Sequence, residues 1–240
     1  MKSRVALVTG ASSGIGLAIT KALLSKGYSV VATSRRASKC ASLEPSARLA
    51  VLDGDIADRE TAERCVSEAT RRFGALDLLV NNAGIFVAKP FTEYTADDVA
   101  SLVATNLMGF VHCTQAALRV MAPARSGHVV SVSTSLATQP VAGVSSAAPI
   151  LIKGGIEAAT RSLAIEYAPH NIRVNVIAPG IIDTPMHARE NHPFLRTLSP
   201  ASRVGTTDEM VDALLYLDRA EFVSGEVLHV DGGAHAGRWA

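Results

Sequence analysis

The stretch TGASSGIG, residues 9–16, joins an apolar run, VALVTG, to an alanine- and leucine-rich segment. The run predicts a β-strand, and the segment predicts a helix that begins near Ile15. A helix N-terminus presents unpaired backbone N–H groups and the positive end of the helix dipole, and glycine is needed where a Cβ would block a ligand or where φ is positive. We therefore interpret this turn as a pyrophosphate site for a dinucleotide. Its residues are Gly10, Ser12, Ser13, Gly14, Ile15 and Gly16.

The glycine spacing GxxxGxG is also compatible with a purely structural strand-to-helix turn that binds nothing, so the next strand matters. That strand, YSVVATS at 28–34, ends on Ser34, where an acidic residue would otherwise bind the adenosine ribose, and Arg35 and Arg36 follow. No carboxylate repels a 2′-phosphate there, and arginine binds phosphate through paired hydrogen bonds. The sequence predicts NADP(H) rather than NAD(H). Two solvated surface arginines are the alternative.

Strand and helix patterns alternate along the whole chain. Seven short β-branched runs predict strands: VALVTG, YSVVATS, ARLAVLDG, LDLLVNNAG, GHVVSVST, IRVNVIAPG and EVLHVDGG. Apolar residues recur at helical spacing in 15–26, 58–73, 96–122, 152–168 and 207–218. Because the strands are apolar almost throughout, we expect a parallel sheet covered on both faces, an α/β doubly wound fold. Residues 1–240 form one predicted domain, and 184–206, which interrupts the rhythm, is a predicted lid.

Composition narrows the classes of partner. Hydrophobic residues make up 48% of the 240 residues and charged residues 19%, which is typical of a folded globular protein. A formal charge of +1 gives no field that would attract nucleic acid or an anionic membrane, so we expect a small-molecule partner. Three cysteines without paired spacing indicate neither a disulfide framework nor a metal site. No apolar stretch reaches the roughly 20 residues that cross a bilayer, and a cytoplasmic location is expected.

Six landmarks occur in order: TGASSGIG, NNAG at 81–84, Asn106 in ATNLMG, Lys153 in KGGIEAATRSLAIE, IRVNVIAPG and the terminal VDGG. In these landmarks the chain resembles the short-chain dehydrogenase/reductase family over essentially its whole length. The resemblance implies a carbonyl or alcohol substrate and a homodimer or homotetramer, built on helices around 101–122 and 152–168 and on the last strand. These helices are equally compatible with simple packing on the sheet.

The resemblance also implies further cofactor contacts. The adenine would lie beside Asp55 and Ile56, and the cofactor would pass Asn81, Ala83 and Gly84. The nicotinamide end would meet Pro179, Gly180, Ile182 and Thr184. Each residue also has a purely structural interpretation, such as a helix cap at Asp55 or a strand end at Pro179. Their joint occurrence favours the cofactor site.

Enzymes of this family use an Asn, Ser, Tyr and Lys set, in which the tyrosine exchanges a proton with the substrate oxygen and the serine polarises it. Asn106 and Lys153 are present, and Lys153 also belongs to the implied cofactor set. The YxxxK pattern places Pro149 at the tyrosine, and a proline has no proton to give. At the serine, matching by strand selects Thr134, whereas counting back from position 149 selects Leu136. We favour Thr134, with a polar strand end as the alternative.

Two hypotheses follow from the missing tyrosine. In one, the protein is an NADP-dependent reductase that takes its proton from Lys153, Ser145 or water, since Asn106 and Lys153 are retained. His187 and His192 of the lid are further candidate donors, although loop histidines are commonly only solvated. In the other, Pro149 marks a non-catalytic dinucleotide-binding protein, either a redox sensor or a partner subunit.

Overall fold

A computed structural model describes residues 3–237, apart from the Arg189 side chain. Seven strands form one sheet in the order β3-β2-β1-β4-β5-β6-β7, and every strand pair is parallel. The strands are β1 Val5–Thr9, β2 Ser29–Ser34, β3 Leu49–Asp53, β4 Leu78–Asn81, β5 Gly127–Val132, β6 Ile172–Pro179 and β7 Val227–Val230. All seven predicted strands are present, so the predicted doubly wound α/β sheet is confirmed.

The helices alternate with the strands as the sequence predicts. They are α1 Gly14–Ser25, α2 Arg59–Glu68, α3 Ala96–Leu102, α4 Gly109–Ala124, α5 Ala147–Tyr167, α6 His192–Leu195 and α7 Thr207–Arg219. One difference is that α5 begins at Ala147, five residues before the predicted start. Pro149 lies in its first turn, where a residue without an N–H loses no intrahelical hydrogen bond, and Ile150 N donates to Ser146 O at 3.0 Å. Pro149 therefore fits the helix it was expected to precede.

The core has two layers because the apolar side chains of the strands project to both faces. On one face Leu79 and Val129 pack with Cys65, Ala117 and Met121 of α2 and α4. On the other face the apolar side chains of β1, β4 and β5 pack against α1 and α7, and the core members there include Val8, Val80, Val130, Ile19, Leu23, Met210 and Leu214. A sheet enclosed by helices on both faces explains why its strands are nearly continuous apolar runs.

The strand order reverses at β1, which lies between β2 and β4. In open parallel sheets, ligands bind where the order reverses, beyond the carboxyl ends of the strands. The segment 184–206, the predicted lid, follows β6 at this edge and forms only short helical turns. Within residues 3–237 no helix is both long enough and apolar enough to cross a membrane.

Candidate functional site

A cavity of about 1180 Å³ opens at the carboxyl edge of the sheet. Most of the residues predicted from the sequence line it together. They are Gly10, Ser12, Ser13, Gly14, Ile15, Ser34, Arg35, Asp55, Ile56, Ala83, Gly84, Thr134, Lys153, Pro179, Gly180, Ile182 and Thr184. Three of the predicted residues, Gly16, Asn81 and Asn106, lie outside this lining. They contact the residues behind it. Residues far apart in the chain thus meet in one place.

Two positions of the glycine turn, Gly10 and Gly16, are packed too tightly for any other residue. A Cβ on Gly16 would lie 2.3 Å from Gly10 O, and a Cβ on Gly10, whose φ is +65°, would lie 2.9 Å from Ala83 Cα. Ser13, the N-cap of α1, makes no side-chain capping hydrogen bond. The first N–H groups of α1 therefore have no capping side chain, and they face the cavity at the positive end of the helix.

Beside the glycine turn, at the end of β2, the cavity is lined by Ser34, Arg35 and Arg36. Among the described residues, the buried Ser34 Oγ has no hydrogen-bond partner. The nearby carboxylate of Asp53 is already occupied, because Ser38 N and Ser38 Oγ donate to it at 2.8 and 2.6 Å. This corner therefore offers an unpaired hydroxyl and two guanidinium groups, which suits a phosphate.

Asn81 and Asn82 have different roles. Asn81 Nδ2 donates to Thr114 Oγ1 at 2.9 Å, behind the cavity. Asn82 lines the cavity, and its Nδ2 donates to Thr9 O at 2.9 Å, which holds β4 against the glycine turn. Sequence reasoning had singled out Asn81 and missed Asn82. The adjacent asparagine was the available signal, because consecutive residues at a strand end point to opposite sides.

Asn106 holds the loop after β4 in place. It lies in a short π-helical segment, Val103–Met108, and is 2% exposed. Its Oδ1 accepts from Ile85 N and its Nδ2 donates to Ile85 O, both at 2.9 Å. Both ends of the amide are engaged by backbone, so the Asn106 side chain positions the cavity wall that contains Gly84 and Ile85.

Lys153 projects from α5 toward the end of β5. It is buried and lines the cavity, and its Nζ donates to Val132 O at 2.7 Å. Burial lowers the pKa of Lys153 from its ordinary value to about 8, against an opposing effect of the Glu157 charge. An ammonium can donate three hydrogen bonds, and among the described residues Lys153 Nζ donates to one acceptor, the Val132 carbonyl.

Two hydroxyl groups line the same cavity as Lys153, whereas no tyrosine within residues 3–237 does. Thr134 lines the cavity and its Oγ1 accepts from Leu136 N at 3.3 Å, so the hydroxyl hydrogen remains available. Ser145, just before α5, lines the cavity as well. Pro149 is buried in the first turn of α5, and none of the four tyrosines, Tyr28, Tyr94, Tyr167 and Tyr216, is among the lining residues.

Several large apolar side chains also line the cavity. Phe86 and Leu136 belong to loops after β4 and β5, and the predicted lid contributes Met186, Phe194, Leu195 and Leu198. His187 also lines the cavity, and burial, followed by the neighbouring His192, lowers its pKa. His192 lies outside the lining, with its Nε2 3.7 Å from Asp183 Oδ1. Sequence reasoning missed the apolar residues because their pattern in the segment is weak.

Comparisons with known proteins agree with this architecture. Residues 10–235 match the protein family described as enoyl-(acyl carrier protein) reductase. A cis-4-hydroxycyclohexanecarboxylate dehydrogenase of Sinomonas cyclohexanicum is 36% identical over 242 residues, with 96% of each chain covered. The 3-oxoacyl-acyl-carrier-protein reductase FabG of Salmonella typhimurium is 33% identical over 241 residues, with 98% of each covered. The solved structure of ElxO with NADP bound has a TM-score of 0.91 at 28% identity and covers 99% of this chain and 100% of that one.

Proposed function

The chain belongs to the short-chain dehydrogenase/reductase family and is an oxidoreductase of that type, and we propose that it moves hydride between NADP(H) and a carbonyl or alcohol substrate without the family tyrosine. The observation that carries this function is the single cavity that joins the glycine turn, the Ser34 and Arg35 corner, and Lys153. A non-catalytic sensor or partner subunit has no need of a buried ammonium in such a cavity. The reductase and dehydrogenase relatives also favour catalysis.

The cavity fits a dinucleotide with a 2′-phosphate. The N-terminus of α1 would hold the pyrophosphate, and the unpaired Ser34 Oγ with Arg35 would hold the 2′-phosphate. The ElxO structure, which contains NADP, supports this choice. When bound, the reduced nicotinamide supplies a hydride to a carbonyl carbon. Gly16, Asn81 and Asn106 would support the cofactor indirectly, by fixing the backbone that lines the cavity.

Lys153 is the strongest candidate proton donor. One of its N–H bonds is directed to Val132 O, and the ammonium lies beside the cavity. With a pKa of about 8, the group is charged at neutral pH and gives up its proton more readily than an ordinary lysine. The Thr134 hydroxyl would hydrogen-bond to the same substrate oxygen, in the place that serine has in the family.

The substrate would be a largely apolar carbonyl compound. Phe86, Leu136, Met186 and Phe194 line the same cavity as Lys153 and Thr134, and these four side chains form no hydrogen bonds. An apolar wall with a few polar groups at its base orients a substrate by its one polar end. A ketone with an apolar body would pack against the apolar side chains and offer its carbonyl oxygen to Lys153 and Thr134.

The cofactor assignment is tested by titrating the purified protein with NADPH and with NADH. We expect tighter binding of NADPH, and we expect Arg35→Ala to weaken NADPH binding roughly 10- to 100-fold while NADH binding changes little. Arg59→Ala, which removes an exposed arginine of α2, is the matched control. Equal binding of both cofactors by the parent protein would refute the NADP assignment.

The missing tyrosine is tested with a panel of ketones, aldehydes and alcohols. On an identified substrate, Pro149→Tyr should raise turnover, because a positioned general acid is worth about 10² to 10⁴ in rate. If the Pro149→Tyr variant folds but turns over substrate no faster than the parent, the idea that the active site lacks only a tyrosine proton donor would be wrong. Tight NADPH binding with no turnover on the whole panel would instead favour the non-catalytic alternative.

We also propose a homodimer or homotetramer in which α5 lies at an interface. Leu151 and Ile165 lie on one side of α5, two heptads apart, and are 76% and 79% exposed in the single chain. Large apolar side chains that are this exposed favour burial against another surface. Light scattering should give at least a dimer, and Leu151→Lys with Ile165→Lys should produce monomers. A monomeric parent protein would refute the interface.

A further inference from the structure

A buried carboxylate lies one helical turn beyond Lys153. Glu157 of α5 is 6% exposed, and Lys153 is 8% exposed. Residues four apart on a helix project from the same face, so both side chains enter the space between α5 and the end of β5. A buried charge is costly unless it is paired or hydrogen-bonded, which means that this carboxylate needs an explanation.

Glu157 is tied to the strand that leads to Thr134. Ser133 Oγ donates to Glu157 Oε1 at 2.6 Å and also lies 3.4 Å from Lys153 O. Ser133 is itself buried and directly precedes Thr134. One hydroxyl group therefore connects the carboxylate, the helix backbone at Lys153 and the strand end that lines the cavity.

We propose that Glu157 is a positioning residue that keeps Lys153 charged and fixed against β5, so that Lys153 can serve as the proton donor in place of the absent tyrosine. The inference rests on the proposed function. In the reduction, the carbonyl carbon accepts the hydride of the reduced cofactor while the substrate oxygen gains the proton from Lys153 Nζ. The N–H bond breaks, an O–H bond forms, and the neutral amine regains a proton from water.

The charges around this pair support the assignment. Burial lowers the pKa of Lys153 to about 8, whereas the negative Glu157 opposes that effect. From β5 the neutral Ser133 donates to Glu157, and from β7 His229 lies near enough for the Glu157 charge to act on its pKa. Burial, followed by the neighbouring His235, lowers the pKa of His229 against the effects of Asp231, Glu157 and Glu226. Glu157 is thus the charge that favours the Lys153 ammonium.

A direct test titrates the Lys153 side chain by NMR in protein labelled with ¹³C at lysine Cε. Glu157→Gln keeps the hydrogen bond from Ser133 and removes the charge, so we expect the Lys153 midpoint to fall by roughly half to one pH unit. Glu157→Asp keeps a carboxylate, so the Lys153 midpoint in that variant should lie close to the parent's. Glu166→Gln, an exposed change on the same helix, is the matched control and should leave the midpoint unchanged.

Kinetics provide a second arm. In Glu157→Gln the alkaline limb of the pH profile of kcat should move to lower pH by the same amount, with KM little changed. An unaltered Lys153 midpoint, or a loss of kcat that is equal at every pH, would overturn the proposal, because either result indicates a merely structural role. If the parent protein turns over no substrate, the proposed function fails while the NMR titration still tests Glu157.

If Glu157→Gln does not fold, Glu157→Asp and Ser133→Ala are compared in the same titration. A Lys153 midpoint in Ser133→Ala equal to the parent's would refute the anchoring role.

Discussion

At the amino edge of the sheet several donors surround Asp218, whereas at the carboxyl edge the described residues supply Lys153 Nζ with one acceptor. Arg4 donates to Asp218 at 2.6 Å, Tyr28 donates to the same carboxylate, and His128 Nδ1 lies 3.3 Å from it. Burial alone would raise the pKa of Asp218, but hydrogen bonds from His128, Tyr28 and Arg4 hold it well below its usual range. The amino edge is a closed network of partners.

The carboxyl edge leaves groups available. Lys153 Nζ donates to Val132 O, and Ser34 Oγ has no partner among the described residues. A fully paired buried network stabilises one structure, while buried groups with spare donors cost stability and remain free to bind a ligand. The same sheet thus carries a paired polar network at one edge and, at the other, polar groups with hydrogen-bonding capacity left over.

The largest expected effect comes from removing the ammonium at the carboxyl edge. Lys153→Met should lower turnover about 10²- to 10⁴-fold, because it removes the candidate proton donor. Its free energy of unfolding should change less than that of a variant at the amino edge. Steady-state kinetics and urea unfolding measure the two quantities, with Lys21→Met on the exposed side of α1 as the control. Turnover equal to the parent's would exclude Lys153 from the chemistry.

A second variant removes the carboxylate at the centre of the amino-edge network. Asp218→Asn should lower the free energy of unfolding by about 2–3 kcal/mol, because the hydrogen bonds from Arg4, Tyr28 and His128 lose their charged acceptor. Urea unfolding followed by circular dichroism measures this loss, and Asp212→Asn on the exposed face of α7 is the matched control. The folded variant should still bind NADPH. A loss no greater than that of the control would show that the network contributes little to stability.

The amino edge should also make stability depend on pH. Burial lowers the pKa of His128 from 6.5 to about 4, so between these values the unfolded chain binds a proton that the folded chain does not. Stability should therefore fall as the pH drops from 6.5 to 4, by up to about 3 kcal/mol. Urea unfolding at a series of pH values measures the slope. His128→Asn should flatten it, and an equal slope in that variant would assign the effect to other groups.

The smallest expected effect concerns the unpaired hydroxyl. Ser34→Ala should leave the free energy of unfolding within about 0.5 kcal/mol, since the hydroxyl has no partner to lose. NADPH binding should weaken roughly three- to tenfold through loss of one hydrogen bond. Calorimetric titration and urea unfolding separate the two effects. A large loss of stability with unchanged binding would reverse this interpretation of the carboxyl edge.

Local pattern was enough to predict the elements and the glycine turn. The period of the apolar residues predicted seven strands and the helices between them, and these are confirmed. The family that the landmarks indicated is confirmed as well. The start of α5 was the exception, because Pro149 is unfavourable inside a helix yet acceptable in its first turn. The roles of the site residues, including Thr134, stay predictions.

The fold class, the family and the proline at position 149 can be read from the chain alone, because they depend on short-range pattern and residue identity. Which polar groups are paired depends on the folded arrangement. Asn82 rather than Asn81 faces the cavity, and Asp218 meets Arg4 across 214 positions of sequence. The hydrogen bond between Ser133 and Glu157 is likewise visible only in the folded chain. Burial and hydrogen bonding between distant residues set charge and proton affinity, and spacing along the chain does not encode them locally.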